Sequence, residues 1–482
     1  MMLRRLITNR FYSNYTIFNK SSGNGKCGVA VIRVSGDKTK DVLRRITGTD
    51  EFKPRHATLK GLKDSQGQLI DNGLVMYFPG PKSFTGEDCC EFQVHGGTSV
   101  VSALLSALND IHKVRYSEPG EFSKRAFLNG KMDLIEAEAV ADLIHAETEM
   151  QRKQALIQAE GHLSRLYQGW RTKLIRNIAH IEAFIDFSED ENIESDILHV
   201  VQKELYELKN EIQQHLVDGR KGERLRDGVR MAIVGDTNVG KSSLMNHLVQ
   251  KDVSIVTEIA GTTRDVIQSN FEINGYPIVL MDTAGLRKSR DIVETEGIRR
   301  AKQCAILSDL IILVMDGKKL EEYFGNNPID LDQYRKVYLH TLGLHDEILH
   351  GRRLMTIVNK VDLMTKHKSQ ELEDLKTLAI SCTKVFRIND VVGEITDHLK
   401  ELCGNPTTEN PHLSQQRHRF CIQECSEYVN NFLETYNPVT EQDLAILVQD
   451  LRSAVRCIGK ITGQVRTDDI LDVIFRDFCI GK

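Results

Sequence analysis

Residues 231–243 read MAIVGDTNVGKSS, a short apolar run that passes directly into a glycine-rich loop. Gly235, Gly240, Lys241 and Ser242 fit the pattern G-x-x-x-x-G-K-S/T. In this pattern the backbone N–H groups of the loop and the N-terminus of the next helix hold phosphate groups. The lysine reaches the β- and γ-phosphates, and the serine hydroxyl binds Mg²⁺. The stretch therefore predicts a strand, a phosphate loop and a helix, with a nucleoside triphosphate as the ligand.

A second apolar run, YPIVLMD, ends on Asp282, which opens the motif DTAG. A carboxylate at the end of a strand beside the phosphate loop can hold Mg²⁺ through water, and the glycine of DTAG lets a backbone N–H approach the γ-phosphate. Between the two runs lies IAGTTRD, in which Thr263 is the predicted second hydroxyl ligand of Mg²⁺. We expect these groups to surround the triphosphate.

The choice of base is predicted by the motif NKVD at 359–362, directly after the apolar run RLMTIV. The carboxylate of Asp362 can accept hydrogen bonds from the ring N–H and the exocyclic amine of guanine, a donor pair that adenine lacks. The later run AISC places Ser381 and Cys382 where backbone N–H groups could meet the base carbonyl. Four motifs in this order, each after an apolar run, predict a GTP-hydrolysing α/β domain of the P-loop class.

The predicted GTP site is assembled from these loops. Its residues are Asn238, Val239, Gly240, Lys241, Ser242, Ser243, Thr257, Glu258, Ile259, Ala260, Gly261, Thr262, Thr263, Asp282, Thr283, Ala284, Gly285, Asn359, Lys360, Asp362, Ser381 and Cys382. Ser242 and Thr263 are the predicted ligands of Mg²⁺.

The sequence lacks two usual aids to hydrolysis. Many small GTPases carry a water-positioning glutamine after DTAG, where this chain has Leu286, and no internal arginine finger can be named. The side-chain oxygen of Asn238, together with carbonyls of the IAGTT loop, could hold a monovalent cation that supplies the missing positive charge. An Asx turn is the alternative interpretation of Asn238, and the spacing does not decide between the two.

Composition bears on three further properties: nucleic-acid binding, zinc binding and cellular targeting. The chain has 482 residues, a net charge of −5 and a pI of about 6.4, which is not typical of a protein that binds nucleic acid through bulk positive charge. Its ten cysteines include no CxxC pair, so zinc is not expected. Residues 1–20 are basic, rich in Ser, Thr and Asn, and free of acidic residues, which predicts a mitochondrial transit peptide.

Hydrophobic periodicity divides the rest of the chain. Residues 21–133 contain short β-prone runs with turn signals, and residues 134–225 show apolar positions at helical spacing. The GTPase pattern occupies 226–402, and residues 403–482 are helical again. A helical region before and after an α/β unit predicts that the GTPase domain is inserted into a helical domain.

Several stretches outside the nucleotide motifs resemble one known family. SFTGED at 83–88, PGEFSKRAFLNGKMDL at 119–134 and the terminal CIGK are similar to the MnmE (TrmE) tRNA-modification GTPases, in particular their mitochondrial members. The resemblance implies a multidomain α/β plus α fold: an N-terminal α+β folate-binding domain, a helical domain and an inserted Ras-like P-loop GTPase domain. It also implies a homodimer formed through the N-terminal domain.

The same resemblance implies an activity and site residues. With an MnmG-type FAD-dependent flavoprotein, the family modifies carbon-5 of the wobble uridine of tRNA, here expected in the mitochondrial matrix, with 5,10-methylene- or 5-formyl-tetrahydrofolate as the one-carbon compound. Glu294 falls at the position of the family's water-positioning glutamate. By the same motif matching, K⁺ is held by Asn238 and the carbonyls of Thr257, Ile259 and Thr262, and folate by Arg33, Glu91, Lys131 and Lys482.

Three alternatives remain open from the residues alone. They are a GTPase switch in mitochondrial ribosome assembly, a folate-dependent transferase with a regulatory GTPase domain, and a non-enzymatic conformational switch. The ribosome-assembly reading gives no reason for the folate-domain stretches.

Overall fold

The structure is a computed structural model. It describes residues 15–23, 25–187, 196–217, 220–252, 268–281, 294–408, 411–435 and 441–465, together with positions 471, 474, 475, 478 and 481. By its internal contacts the chain divides into one unit of residues 1–141 with 459–482 and a second unit of residues 142–458. No helix among the described residues combines the length and apolar character needed to cross a membrane.

The first unit is built on a six-stranded sheet. Its elements, in chain order, are β1 (Thr16–Lys20), β2 (Cys27–Ser35), α1 (Thr39–Thr47), β3 (Thr58–Lys63), β4 (Leu69–Phe78), β5 (Cys89–Gly96), α2 (Thr98–Asn109), β6 (Val114–Tyr116) and α3 (Glu121–Leu128). The strand order is β3-β4-β5-β2-β1-β6. Apolar residues of the strands, such as Ile32 and Phe92, form one core with those of α1 and α2, such as Leu43 and Leu104. This is the predicted α+β domain.

The first strand overlaps the predicted leader. Four of the five residues of β1 are buried, and β1 pairs with β2 on one side and β6 on the other. Without β1, β6 would lose its only strand partner among the described residues, whereas β2 would keep its pairing with β5. The predicted leader of residues 1–20 therefore overlaps this strand, and its end stays a prediction.

Long helices frame the inserted domain. Before it lie α4 (Leu134–His145), α5 (Glu149–Ala159), α6 (His162–Phe187), α7 (Asp196–Leu216) and α8 (Lys221–Asp227). Helix α7 packs against α6 and also against the helix Gln416–Thr435, which follows the inserted domain in sequence. An ion pair between Arg452 and Glu182, 2.7 Å long, likewise joins the two helical stretches. One helical domain thus contains the GTPase domain as an insertion, as the pattern predicted.

The inserted domain is a doubly wound α/β fold. Its described elements are β7 (Val229–Val234), α9 (Lys241–Asp252), β8 (Gln268–Ile273), β9 (Tyr276–Met281), α10 (Glu294–Leu307), β10 (Leu310–Asp316), α11 (Gly317–Phe324), α12 (Leu331–Thr341), α13 (Asp346–Leu349), β11 (Arg353–Asn359), α14 (Lys366–Asp374), β12 (Leu378–Ala379) and α15 (Ile388–Cys403). Two further helices, α16 (Gln416–Thr435) and α17 (Glu441–Thr462), complete the helical domain.

The sheet order β12-β11-β10-β7-β9-β8 places the motifs. All neighbouring strands are parallel except β8, which runs antiparallel to β9. Alternate residues of β7 face different cores: Met231 and Ile233 belong to one, Ala232 and Val234 to the other. Because the parallel strands share a direction, the carboxyl ends of β7, β9, β10 and β11 lie at one edge of the sheet, where ligands bind in such folds.

Candidate functional site

The phosphate loop connects β7 to α9 by a route that requires glycine. Gly235 and Gly240 have φ of 154° and 100°. An added Cβ would overlap the Val314 carbonyl oxygen at Gly235 and the amide of Asn359 at Gly240. Asn238 is exposed and also takes a left-handed conformation, with φ of 63°. The backbone is thus turned sharply around the start of α9, as phosphate binding by loop N–H groups requires.

Lys241 is held over this loop. Its Nζ donates to the carbonyl oxygens of Gly235 at 2.8 Å and Asp236 at 2.5 Å. Burial lowers the pKa of Lys241, while the nearby Asp236 carboxylate opposes that change. The two acceptors are neutral carbonyls, so an anionic phosphate would be a better partner for this partly buried ammonium group. Ser242 and Ser243, the next two residues, are exposed at the start of α9, and Val239 is buried.

A tyrosine far along the chain supports the same loop. The Tyr338 hydroxyl, on α12, accepts a hydrogen bond of 2.7 Å from the Asp236 N–H and lies 3.3 Å from the Val314 carbonyl, to which it donates. Burial raises the pKa of Tyr338, so the hydroxyl keeps the proton that it donates. On the exposed side, Lys319 forms a 3.0 Å ion pair with the Asp236 carboxylate. The sequence motif does not indicate either partner.

Asn359 joins the phosphate loop to the predicted base loop. Its Nδ2 donates to the Val239 carbonyl at 2.8 Å, and its Oδ1 accepts from the Cys382 N–H at 3.1 Å. The residue is only 2% exposed. Both polar atoms of the amide are thus occupied by backbone groups, so Asn359 acts as a brace between the two loops.

The residues after Asn359 are also ordered by local contacts. Lys360 has φ of 64°, and its Nζ forms a 2.7 Å ion pair with Asp316 at the end of β10. The exposed Asp362 carboxylate accepts a 2.5 Å hydrogen bond from the Ser381 hydroxyl. Burial raises the pKa of the Cys382 thiol to about 11, which favours the neutral thiol at physiological pH. The structure therefore brings the NKVD and AISC motifs together.

Part of the predicted site lies outside the described residues. This applies to Thr257, Glu258, Ile259, Ala260, Gly261, Thr262 and Thr263, to Asp282, Thr283, Ala284, Gly285 and Leu286, and to Lys482. Glu294 is the first residue of α10, and only its backbone is described. The roles predicted for these residues stay predictions.

In the N-terminal unit, two of the predicted folate contacts lie side by side. Arg33 on β2 pairs in register with Glu91 on β5, and their side chains form an ion pair of 2.9 Å. The Arg33 guanidinium lies 4.8 Å from the centre of the Phe84 ring, in a cation–π arrangement. Its Nη1 is buried and has no hydrogen-bond partner among the described residues. Lys131 is exposed, and its Nζ donates to the Pro81 carbonyl at 3.1 Å.

A buried polar network beside this pair was not predicted. Arg125, 2% exposed, forms ion pairs of 3.0 Å with Glu87 and 2.9 Å with Glu121. Glu87 also accepts a 2.7 Å hydrogen bond from Ser35. The signal for this network was present in SFTGED and PGEFSKRAF, where charged residues recur among apolar ones. Spacing could suggest the Arg125–Glu121 pair, four residues apart on one helix, but not the contacts of Glu87 with partners 38 and 52 positions away.

Comparisons with known proteins agree with this geometry. The profile of the MnmE helical domain matches residues 134–479, and that of the GTP-binding protein TrmE N-terminus matches residues 16–131. A protein of Danio rerio described as the mitochondrial subunit GTPB3 of 5-taurinomethyluridine–tRNA synthase is 43% identical, with 100% of this chain and 96% of that protein covered. The human protein of the same description is 41% identical, over 99% of this chain and 97% of its own.

A bacterial relative is equally similar. The tRNA modification GTPase MnmE of Rickettsia canadensis is 43% identical over 97% of this chain and 100% of its own length. The comparisons therefore do not separate the mitochondrial from the bacterial members. The profiles cover both the helical and the N-terminal domain, and the alignments extend over almost the whole chain. With its phosphate loop and guanine motifs assembled at one edge of the sheet, the chain belongs to the MnmE (TrmE) family of tRNA modification GTPases.

Proposed function

We propose that the protein is the GTPase subunit of an enzyme that modifies carbon-5 of the wobble uridine in mitochondrial tRNA. The observation that carries this proposal is the full-length similarity to 5-taurinomethyluridine–tRNA synthase subunits, at 41–43% identity, in a chain whose phosphate loop and NKVD motif are also joined by hydrogen bonds of Asn359. The group added is of the aminomethyl type. A taurine-derived group follows from the mitochondrial relatives, and a glycine-derived group is the alternative.

The N-terminal unit suits a folate. A buried guanidinium nitrogen without a partner is costly unless a ligand accepts its hydrogen bond, and Arg33 Nη1 is such an atom. Glu91 beside it has the carboxylate chemistry that matches the paired donors of a pterin. When bound, tetrahydrofolate supplies the one-carbon unit. Arg33 and Glu91 orient it, and the exposed amine of Lys131 suits the negative charge of its carboxylates. Lys482 belongs to the same proposal.

In the GTPase domain, Lys241 and the loop N–H groups bind the phosphates, and Asp362 selects guanine. Ser242 and Thr263 would hold Mg²⁺, which neutralises phosphate charge, and Asp282 would support it through water. Glu294 is proposed to orient the attacking water, since Leu286 has no polar atom for that task. Each of these tasks is one of positioning or charge stabilisation, which is what phosphoryl transfer requires of a protein.

A monovalent cation is proposed to stand where other GTPases have an arginine finger. Asn238 supports the proposal, because its left-handed backbone and exposed side chain leave the amide oxygen available beside the phosphate loop. Carbonyl groups of Thr257, Ile259 and Thr262 would complete an all-oxygen site for K⁺. A positive charge there stabilises the charge that develops on the transferred phosphoryl group.

Partners follow from the family. We propose a homodimer formed through the N-terminal domain, an MnmG-type flavoprotein with FAD, and mitochondrial tRNA. Support for a protein contact comes from the sheet edge at β3, where Leu59 on β3 and Leu69 and Leu74 on β4 are exposed. Exposed apolar residues on an edge strand are a liability that pairing with a second chain removes. Sedimentation of the Leu59→Lys variant tests this contact, and an unchanged dimer would exclude it.

The matrix location rests on the basic leader and the mitochondrial relatives. A fluorescent protein fused after residue 20 should enter mitochondria if residues 1–20 are a sufficient leader. A cytosolic fusion would contradict the assignment.

The decisive experiment is mass spectrometry of nucleosides from mitochondrial tRNA after loss of the protein. Loss of the modified wobble uridine, with restoration by the wild-type gene but not by the Lys241→Ala variant, is the expected result. The mass of the missing nucleoside distinguishes taurinomethyl from carboxymethylaminomethyl groups. Intact wobble nucleosides together with defective ribosomal subunits would instead support the ribosome-assembly alternative.

A further inference from the structure

A histidine on the phosphate-loop helix contacts the predicted base loop. His247 lies on α9, and its Nε2 is 2.9 Å from the backbone carbonyl oxygen of Cys382. A carbonyl oxygen only accepts hydrogen bonds, so His247 Nε2 must carry the proton in this contact. The contact joins positions 135 residues apart in sequence. No nucleotide motif includes His247.

With this contact, both backbone polar groups of Cys382 are hydrogen-bonded to side chains. The Cys382 N–H donates to Asn359 Oδ1 at 3.1 Å, while its carbonyl accepts from His247. Asn359 in turn donates to Val239 of the phosphate loop at 2.8 Å. The carbonyl of Cys382 thus joins the base loop to α9, and its N–H joins the same loop to the phosphate loop through Asn359.

Because the peptide bond is planar, the contact of the Cys382 carbonyl also fixes the direction of the next N–H, that of Thr383. In a trans peptide the C=O and N–H groups point to opposite sides. Because His247 holds the carbonyl of Cys382 toward α9, the N–H of Thr383 points away from α9. Thr383 is exposed, and its N–H makes no hydrogen bond within the part of the chain that the structure describes. This N–H is therefore accessible to an acceptor from outside the protein.

We propose that His247 is a positioning residue for base recognition, which holds the 381–383 loop so that its free N–H meets the carbonyl oxygen at position 6 of the purine. The ligand class is a 6-oxopurine nucleotide. Asp362 reads the donors of the base, and the loop that His247 holds reads the acceptor. The inference rests on the proposed function, in which the loop that contains Ser381 and Cys382 lies beside the guanine base.

The test compares the variants His247→Ala and His247→Gln with the wild-type protein. The glutamine amide can still donate to the Cys382 carbonyl, whereas alanine cannot. The full-length protein is titrated with GTP, with 6-thio-GTP, in which sulfur is a weaker acceptor than oxygen, and with ITP, which lacks only the 2-amino group. His367→Ala, an exposed histidine on α14, is the matched control.

The expected result is a selective loss. His247→Ala should weaken GTP binding by about two- to tenfold, the range that one hydrogen bond contributes, with kcat unchanged. Its preference for GTP over 6-thio-GTP should fall, while its preference for GTP over ITP should not, because the 2-amino group faces Asp362. His247→Gln should recover most of the affinity.

Two outcomes would overturn the proposal. One is a His247→Ala protein whose GTP affinity equals that of His367→Ala. The other is an equal loss for all three nucleotides without rescue by glutamine, which would indicate a general structural role. Asp362→Asn is tested beside them with XTP. If it changes the base preference while His247→Ala has no effect, the assignment of the base site stands and only the role of His247 fails.

Discussion

Replacement of Asn359 by alanine tests whether the phosphate and base loops form one braced unit. In the wild-type protein this buried amide binds the Val239 carbonyl at 2.8 Å and the Cys382 N–H at 3.1 Å. Alanine lacks the side-chain amide, so the buried Val239 carbonyl and the buried Cys382 N–H both lose their hydrogen-bond partner. At about 1–3 kcal/mol for each such group, local stability should fall by about 2–6 kcal/mol. Water that enters the space left by the side chain would move the result toward the lower end.

Hydrogen exchange measured by mass spectrometry is the suitable assay, because it reports local opening. Peptides that cover 229–252 and 353–382 should lose protection in the Asn359→Ala variant, and GTP affinity should fall with them. Trp170, the single tryptophan, lies on α6 in the helical domain. The unfolding transition that its fluorescence reports therefore serves as an internal control, and its midpoint should not change. Asn326→Ala, an exposed site, is the matched variant. Unchanged protection and affinity in Asn359→Ala would refute the bracing role.

Three further predictions concern ligands. Asp362→Asn should shift nucleotide preference from GTP toward XTP, since an amide can donate to the second carbonyl of xanthine; unchanged GTP affinity in a binding titration would contradict the assignment. Phosphate release by the wild-type protein should be faster in K⁺ than in Na⁺, and equal rates in both salts would exclude the cation site. Asn238→Ala should lose most of this stimulation but keep GTP binding, whereas Glu294→Ala should lose hydrolysis. Arg33→Ala should lose folate binding in calorimetry while keeping GTP binding, and undiminished folate affinity would remove Arg33 from that site.

Much of the nucleotide site could be predicted because its motifs are local. The phosphate loop and NKVD each follow directly from a strand, and parallel strands bring their carboxyl ends to one edge whatever the details of packing. The chemistry of Lys241 and Asp362 could therefore be predicted from residue type and spacing alone. The insertion of the GTPase domain was likewise visible, because helical periodicity occurs on both sides of the α/β pattern.

The contacts that hold those motifs in place could not be predicted. Tyr338 and His247 contact loops more than 100 residues away in sequence, and nothing in their own neighbourhoods distinguishes them from ordinary helix residues. Their roles depend on which helix faces which strand end. That arrangement is decided by the packing of the two cores on either side of the sheet.

The end of the leader illustrates the same division. Composition alone indicated that the first residues are basic and free of acids, and that part of the prediction depends only on sequence. Composition could not show that Thr16–Lys20 is a central strand, because a short stretch becomes a strand only through the neighbours with which it pairs. The sequence by itself thus determined the chemistry available at each motif. The tertiary structure decided which distant residues complete it, because hydrogen bonds and packing join positions that spacing along the chain does not relate.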